Sequence, residues 1–175
     1  MPSSRPWRIS PVAELIYRLH PKSVLDIGIG FGKWGMLARE YTDVNKGRCA
    51  KKTWQVQIDG IEIFPAYESP LWAVYDRVHI GNVVDILPKL GNYDLILAIE
   101  ILEHMKREDG LKMIAAIKAK SKDYIVSYSN SVSPAAFGNK CEAHISQWTA
   151  SDFKGHKLLC EQGVSQVFVG KGSIA

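Results

Sequence analysis

Cysteine is scarce in this chain of 175 residues, and its spacing suits neither a disulfide framework nor a zinc ribbon. Cys49, Cys141 and Cys160 are odd in number, far apart and without a C-x-x-C pair. No hydrophobic run approaches the length of a membrane span, and the first residues contain no apolar core of signal-peptide length. We therefore expect a cytoplasmic protein in a reducing compartment, with no membrane partner.

Excess charge of one sign is also nearly absent. The chain has 22 Lys and Arg against 18 Asp and Glu, a formal net charge of +4. This small excess of positive charge makes RNA a possible partner, but a small molecule is favoured over it. The charge leaves the oligomeric state open. Internal repeats are absent, and 175 residues with 46% hydrophobic content predict one domain over residues 1–175.

Strand and helix patterns alternate along the chain. Residues 93–102 are apolar almost throughout, which is typical of a strand buried on both faces of a parallel sheet. Residues 77–86 have the pattern of a third strand, 107–120 that of an amphipathic helix, and 165–171 that of a paired C-terminal strand. This order predicts an α/β fold with a doubly wound, mostly parallel seven-stranded sheet, helices on both faces and an antiparallel C-terminal strand. Such sheets bind ligands beyond the carboxyl ends of their strands.

Glycine, by contrast, is concentrated in one stretch, "VLDIGIGFGKWG". It ends in a literal G-x-G-x-x-G whose last member is Gly35, a pattern that nicotinamide enzymes use around a pyrophosphate. Asp26, however, interrupts the strand two residues before Gly28. A carboxylate there would oppose an anionic pyrophosphate and would suit an amino group or a sulfonium. An NAD-dependent oxidoreductase is therefore the alternative, not the first choice.

Four motifs in order resemble those of class I S-adenosylmethionine-dependent methyltransferases of the small-molecule type. "VLDIGIGFG" resembles the first motif, "IDGIEIF" the end of the second strand, "HIGNVVDIL" the third-strand motif and "YDLILAIEILEHM" the fourth strand with its exit. The resemblance covers about residues 10–153. It implies a Rossmann-like methyltransferase fold, S-adenosyl-L-methionine as cofactor, and transfer of its methyl group to an oxygen or nitrogen atom of a small-molecule acceptor.

The resemblance also implies which residues bind the cofactor. Glu62 would accept hydrogen bonds from the ribose diol, although it lies 34 residues after Gly28 instead of about 20, so Asp59 remains an alternative. Ile63 would lie against the adenine, and Asn82 would accept from its amino group. The complete implied set is Asp26, Gly28, Gly30, Gly32, Glu62, Ile63, Asn82, Val83, Ile99 and Glu100.

The exit of the fourth strand carries a Glu-x-x-Glu-His cluster at Glu100, Glu103 and His104. If Glu100 begins a helical turn, the three side chains share one face. His104 could be a general base for the acceptor, or the cluster could bind a divalent metal with His144, as in the small-RNA 3′-terminal 2′-O-methyltransferases that it resembles. In the third interpretation, Glu103 and His104 only hold the loop. We assign His104, Glu103 and His144 as catalytic and assign no metal, with a metal-assisted RNA methyltransferase as an alternative.

Two segments are expected to surround the acceptor. Residues 1–10 contain an Arg and Trp pattern that predicts an N-terminal lid. Residues 128–147 form a polar stretch with proline and glycine that is longer than an ordinary strand-to-helix link. We predict that this stretch is an acceptor loop that brings Glu142 and His144 to the acceptor, while His144 could instead attach the loop to the body.

Overall fold

The computed structural model describes residues 4–136 and 138–174. Residues 1–3 of the predicted lid, residue 137 of the predicted acceptor loop and residue 175 lie outside the described residues. The helices are α1 (Ile9–Leu19), α2 (Lys33–Thr42), α3 (Val83–Ile86) and α4 (Arg107–Lys120). The strands are β1 (Ser23–Ile27), β2 (Gln57–Glu62), β3 (Arg77–Ile80), β4 (Tyr93–Ala98), β5 (Ser121–Ser129), β6 (Lys157–Gln162) and β7 (Ser165–Lys171).

The seven strands form one sheet in the order β3-β2-β1-β4-β5-β7-β6. Strands β1 to β5 are parallel to one another, and β7 is antiparallel to both β5 and β6. The predicted mostly parallel, seven-stranded Rossmann-like architecture with an antiparallel C-terminal edge is therefore confirmed. The order reverses between β1 and β4, which places a ligand crevice beside the carboxyl ends of these two strands.

Strand β4 shows why the apolar run is continuous. Leu95 and Leu97 pack in the cluster that contains α1 and α2 side chains, whereas Ile96 and Ala98 pack in the cluster that contains α3 and α4 side chains. Alternate residues of a strand point to opposite faces, so a strand covered by helices on both sides must be apolar at every position. Among the described residues no helix is both long enough and apolar enough to span a bilayer.

The predicted third strand over residues 77–86 is wrong in its second half. Strand β3 ends at Ile80, and Gly81 follows with a φ of 144°. The Asn82 Oδ1 then accepts a hydrogen bond of 3.0 Å from the Val84 backbone N–H and caps α3. A cap of this kind starts a helix even where β-branched residues follow, because it satisfies an N–H that has no partner within the helix.

Candidate active site

A cavity of about 330 Å³ lies at the carboxyl edge of the sheet. Its wall contains residues that follow β1, β2, β3 and β4, four segments that are separate in sequence. The predicted site residues on this wall are Gly28, Gly30, Glu62, Ile63, Asn82, Val83, Ile99, Glu100 and His104. Asp26, Gly32, Glu103 and His144 lie outside the wall itself. The fold thus brings most of the predicted set to one place.

The glycine loop after β1 has a backbone that excludes side chains. Gly28 has a φ of 73°, and a Cβ at this position would lie 1.9 Å from the Ile101 Cδ1. Gly32, with a φ of 94°, packs against Leu71 instead, where a Cβ would meet the Leu71 Cβ at 3.1 Å. Gly28 therefore allows Ile101 to pack directly against the loop at the cavity wall, and Gly32 allows Leu71 to pack immediately before α2.

Glu62 ends β2 and joins it to the glycine loop. One carboxylate oxygen accepts from the Gly30 N–H at 2.8 Å, and the other accepts from the Phe64 N–H at 2.9 Å. Burial raises the pKa of the Glu62 carboxyl, while these backbone N–H groups oppose that shift. Each carboxylate oxygen keeps a second acceptor direction, so Glu62 remains able to bind two hydroxyl groups. Asp59, its alternative, instead accepts from the Tyr93 hydroxyl at 2.8 Å.

Asp26 lies behind the loop and not on the cavity wall. Its Oδ2 accepts from the Tyr75 hydroxyl at 2.7 Å, and the same hydroxyl accepts from the Gly35 N–H at 3.1 Å. Burial raises the pKa of Asp26 to about 7. Asp26 thus positions the first turn of α2 through Tyr75, and any influence on a ligand passes through that helix.

Glu100 follows β4 in a left-handed conformation, with a φ of 56°. Its N–H donates to the Ser127 Oγ at 2.8 Å, and its carboxylate forms an ion pair with the fully buried Arg8. The helical turn predicted to begin at Glu100 spans Leu102–His104 instead. The three predicted acid and histidine side chains therefore do not share one face. A non-glycine residue in this conformation is strained, and such strain concentrates at functional sites.

Glu103 is completely buried beside the cavity. Its Oε1 accepts from the Ser129 N–H at 2.9 Å, whereas its Oε2 is buried without a hydrogen-bond partner among the described residues. Burial raises the pKa of Glu103 to about 8. A buried carboxyl with an unused oxygen is costly when ionised, and a proton or a cation would relieve that cost.

His104 and His144 face each other with ring centroids 4.7 Å apart. The Nδ1 of His104 lies 3.3 Å from the Ala143 carbonyl oxygen, and the Nδ1 of His144 contacts the Ser131 carbonyl oxygen. A carbonyl only accepts, so each Nδ1 carries a proton, and Nε2 is the nitrogen that has a lone pair whenever the ring is uncharged. Burial, and then the neighbouring His144, lower the pKa of His104.

These histidines and Glu103 form a donor cluster. Their ligand atoms lie within 4.8 Å of one another. Two neutral imidazoles and a carboxylate suit a divalent ion, and the unused Glu103 Oε2 is the acceptor that such an ion would occupy. Glu100 is paired with Arg8 and is not part of this cluster.

A hydrogen-bond network that the sequence did not predict closes the other side of the cavity. The Tyr67 hydroxyl donates to the Glu142 Oε1 at 2.8 Å and accepts from the Asn139 Nδ2 at 3.2 Å. All three side chains are buried and line the cavity, which places part of the predicted acceptor loop on its wall. Nothing in the sequence indicates that residues 75 positions apart would meet here.

Several solved structures of methyltransferases have a similar fold. Magnesium protoporphyrin IX methyltransferase from Synechocystis PCC 6803, with bound SAH, has a TM-score of 0.65 over 95% of this chain and 83% of its own, at 13% identity. The methyltransferase domain of bacterial CtHen1 has a TM-score of 0.60 over 94% of this chain and 97% of its own, at 17% identity. An O-methyltransferase family protein from Burkholderia thailandensis has a TM-score of 0.60 at 10% identity, over 94% of this chain.

The chain spans 56% of the length of that Burkholderia protein. No family model matches the chain, and no curated protein matches it. At these identities the likeness establishes the fold, and it confirms the methyltransferase resemblance at that level. The comparisons do not extend to the acceptor.

Proposed function

We propose that this protein is an S-adenosylmethionine-dependent methyltransferase that acts on an oxygen or nitrogen atom of a small molecule. The observation that carries the proposal is the single cavity that joins Gly28, Glu62, Asn82 and Ile99 at four strand ends. The resemblance assigns these positions to the cofactor from four separate motifs. Their convergence supports that assignment, because unrelated surface residues would not meet at one ligand crevice.

The cavity wall offers chemistry for each part of the cofactor. Glu62 presents two acceptor oxygens to the ribose hydroxyls, and Ile63, whose side chain is 45% exposed, offers an apolar surface to the adenine. Gly28 and Gly30 present backbone without side chains on the cavity wall, where the methionine part is proposed to lie. When bound, the cofactor supplies a methyl group on a sulfonium, which is already activated for transfer.

The acceptor is proposed to lie between the glycine loop and the network of Tyr67, Asn139 and Glu142. Alignment of the attacking atom with the methyl group supplies most of the rate enhancement in such a site. His104 reaches the cavity, and its lowered pKa keeps the imidazole neutral at pH 7. The Nε2 of His104 takes the proton that the hydroxyl or amine loses as its new bond to carbon forms, which adds about 10²–10⁴-fold.

A thermal-shift experiment with S-adenosylhomocysteine and NAD⁺ tests the cofactor. S-adenosylhomocysteine at roughly 100 times its Kd should raise the free energy of unfolding by about 2.7 kcal/mol, whereas NAD⁺ should leave it unchanged. Stabilisation by NAD⁺ alone would replace the proposal with the oxidoreductase alternative. Stabilisation by neither would remove both.

The donor cluster of Glu103, His104 and His144 favours a second candidate function, metal-assisted methylation of a ribose 2′-hydroxyl of RNA. The cluster supports this candidate because its three ligand atoms already lie within 4.8 Å of one another. A bound divalent ion would supply Lewis-acid chemistry that lowers the pKa of a coordinated hydroxyl. In this candidate Glu103, His104 and His144 would hold the ion, and His104 would no longer be the base.

Calorimetric titration with Mn²⁺ separates the two candidates. The metal candidate predicts binding that His144→Ala abolishes and that His20→Asn leaves intact, since His20 is exposed on the far end of α1 and its left-handed conformation is one that asparagine tolerates. Activity that survives a chelator would support the metal-free small-molecule reaction. Activity that disappears in chelator and returns with Mn²⁺ would support the metal-assisted one.

A further inference from the structure

Three charged side chains meet at the end of the cavity nearest the N-terminal segment. Arg8 is fully buried, stacks over Trp7 with 4.5 Å between its Cζ and the ring centroid, and pairs with Glu100. Lys33 lines the same cavity and interacts electrostatically with both Glu100 and Arg8. Two cations here share one carboxylate, so the group carries a net positive charge.

Lys33 also has unused donor capacity. It is the first residue of α2, and its Nζ donates to the Ser4 carbonyl oxygen. An ammonium group has three N–H donors, so this contact leaves two for a ligand. Ser4 lines the cavity as well, and its hydroxyl oxygen is buried without a hydrogen-bond partner in the described part of the chain.

Positive charge and unused donors in one partly buried place favour an anion. Glu100 does not oppose an anion strongly, because Arg8 already neutralises it. The positive end of the ten-residue helix α2, which begins at Lys33, adds to the attraction. A carboxylate would accept from both Lys33 and Ser4 with charge-assisted hydrogen bonds.

We propose that Lys33, aided by the Ser4 hydroxyl, binds the α-carboxylate of the methionine part of the cofactor. The inference rests on the proposed function, since it assigns a further binding residue to that same cofactor site. It also gives the N-terminal segment a specific task, because Ser4 contributes both a carbonyl that holds the Lys33 ammonium and a hydroxyl that contacts the ligand. Because of Lys33, the site should prefer a cofactor that carries the α-carboxylate to an analogue that lacks it.

Calorimetry with two ligands and two lysine variants tests this assignment. The ligands are S-adenosylhomocysteine and S-adenosyl-3-thiopropylamine, which differ only by the carboxylate. Wild-type protein should bind S-adenosylhomocysteine about tenfold more tightly, a difference that corresponds to one charge-assisted contact. Lys33→Met, which keeps the aliphatic stem, should lose that preference by weakening only the carboxylate-bearing ligand. Ser4→Ala should lose part of it.

The matched control is Lys118→Met, at an exposed position of α4 outside the cavity wall, which should preserve the preference. If Lys33→Met binds both ligands as wild-type protein does, or weakens both equally, the inference is wrong and the proposed function stands. If wild-type protein binds neither ligand, the proposed function fails and the inference fails with it. Lys33→Arg, which keeps the charge, should retain most of the preference.

Discussion

The two ends of the cavity are built in opposite ways. At the end next to the glycine loop, hydrogen bonds to the protein hold two side chains in place, since Glu62 accepts two backbone N–H groups and Asn82 caps α3. At the end next to the donor cluster, the Glu103 Oε2 is buried without a partner among the described residues. The side chains of Glu62 and Asn82 are held in place before any ligand binds. At the second end, a proton or a cation would stabilise the buried Glu103 carboxylate.

This difference separates binding from chemistry. Side chains that the backbone holds in place lose little conformational entropy when a ligand binds, so the glycine-loop end is suited to affinity. A buried carboxyl without a counterion and two facing imidazoles are suited to proton or metal chemistry, because their charge states respond to what is bound nearby. Variants at the two ends should therefore change different observables.

The largest effect is expected for Glu62→Ala at the glycine-loop end. The variant removes the acceptors for the ribose hydroxyls and the hydrogen bond that holds the Gly30 N–H. Two charge-assisted hydrogen bonds are together worth about 3 kcal/mol, so the affinity for S-adenosylhomocysteine should fall by about 100-fold in calorimetry. Glu68→Ala, which removes an exposed acid a few residues later, is the matched control and should bind normally. An unchanged affinity in Glu62→Ala would mean that this end is not the ribose site.

The next effect concerns stability against pH at the donor-cluster end. Burial raises the pKa of Glu103 in the folded protein to about 8, above the ordinary value of 4.5, so the folded protein keeps a proton that the unfolded chain releases between these values. The free energy of unfolding should therefore fall as the pH rises through this window, by up to about 1.4 kcal/mol per pH unit from this group. Glu103→Gln, which keeps an acceptor for the Ser129 N–H, should remove that part of the slope in urea titrations.

Asp26 contributes in the same direction, because its folded-state pKa of about 7 is also raised by burial. The contribution of Glu103 is therefore measured by the difference between wild-type protein and Glu103→Gln in the slope of the free energy of unfolding against pH. Glu108→Gln, at an exposed position of α4, is the matched control and should retain the wild-type slope. Identical slopes in wild-type protein and Glu103→Gln would show that Glu103 is ionised in the folded state and would contradict the prediction.

The meeting of the glycine-loop residues at one place could be predicted from the sequence for a physical reason. Each of its residues follows a parallel strand, and the carboxyl ends of parallel strands necessarily meet at one edge of the sheet. The apolar runs locate those strands, so Gly28, Glu62 and Ile99 could be placed together without knowledge of any side-chain contact. The strand boundary at Ile80 was missed because Val83 and Val84 favour strands, and the Asn82 cap outweighs that preference.

The other end depends on contacts that no local pattern encodes. The network of Tyr67, Asn139 and Glu142 joins the segment after β2 to the segment after β5, and the path of a long loop cannot be read from periodicity. The pairing of Arg8 with Glu100 likewise joins residues 92 positions apart and sends Glu100 away from Glu103. The sequence therefore indicated His104 and His144 as candidates, whereas the pairing of Glu100 with Arg8 could not be read from it.

The smallest effect is expected for Asn82→Ala, which tests whether a cap fixes the glycine-loop end in advance. The Asn82 Oδ1 accepts from the Val84 N–H and holds α3, whose first residue, Val83, lies on the cavity wall. Loss of an N-cap side chain costs about 1 kcal/mol, so the free energy of unfolding in urea should fall by that amount. Asn82→Asp, which caps a helix equally well, is the matched control and should keep the stability of the wild-type protein. If Asn82→Ala is as stable as wild-type protein, the cap does not hold this wall, and the contrast between the two ends of the cavity is weaker than the hydrogen bonds indicate.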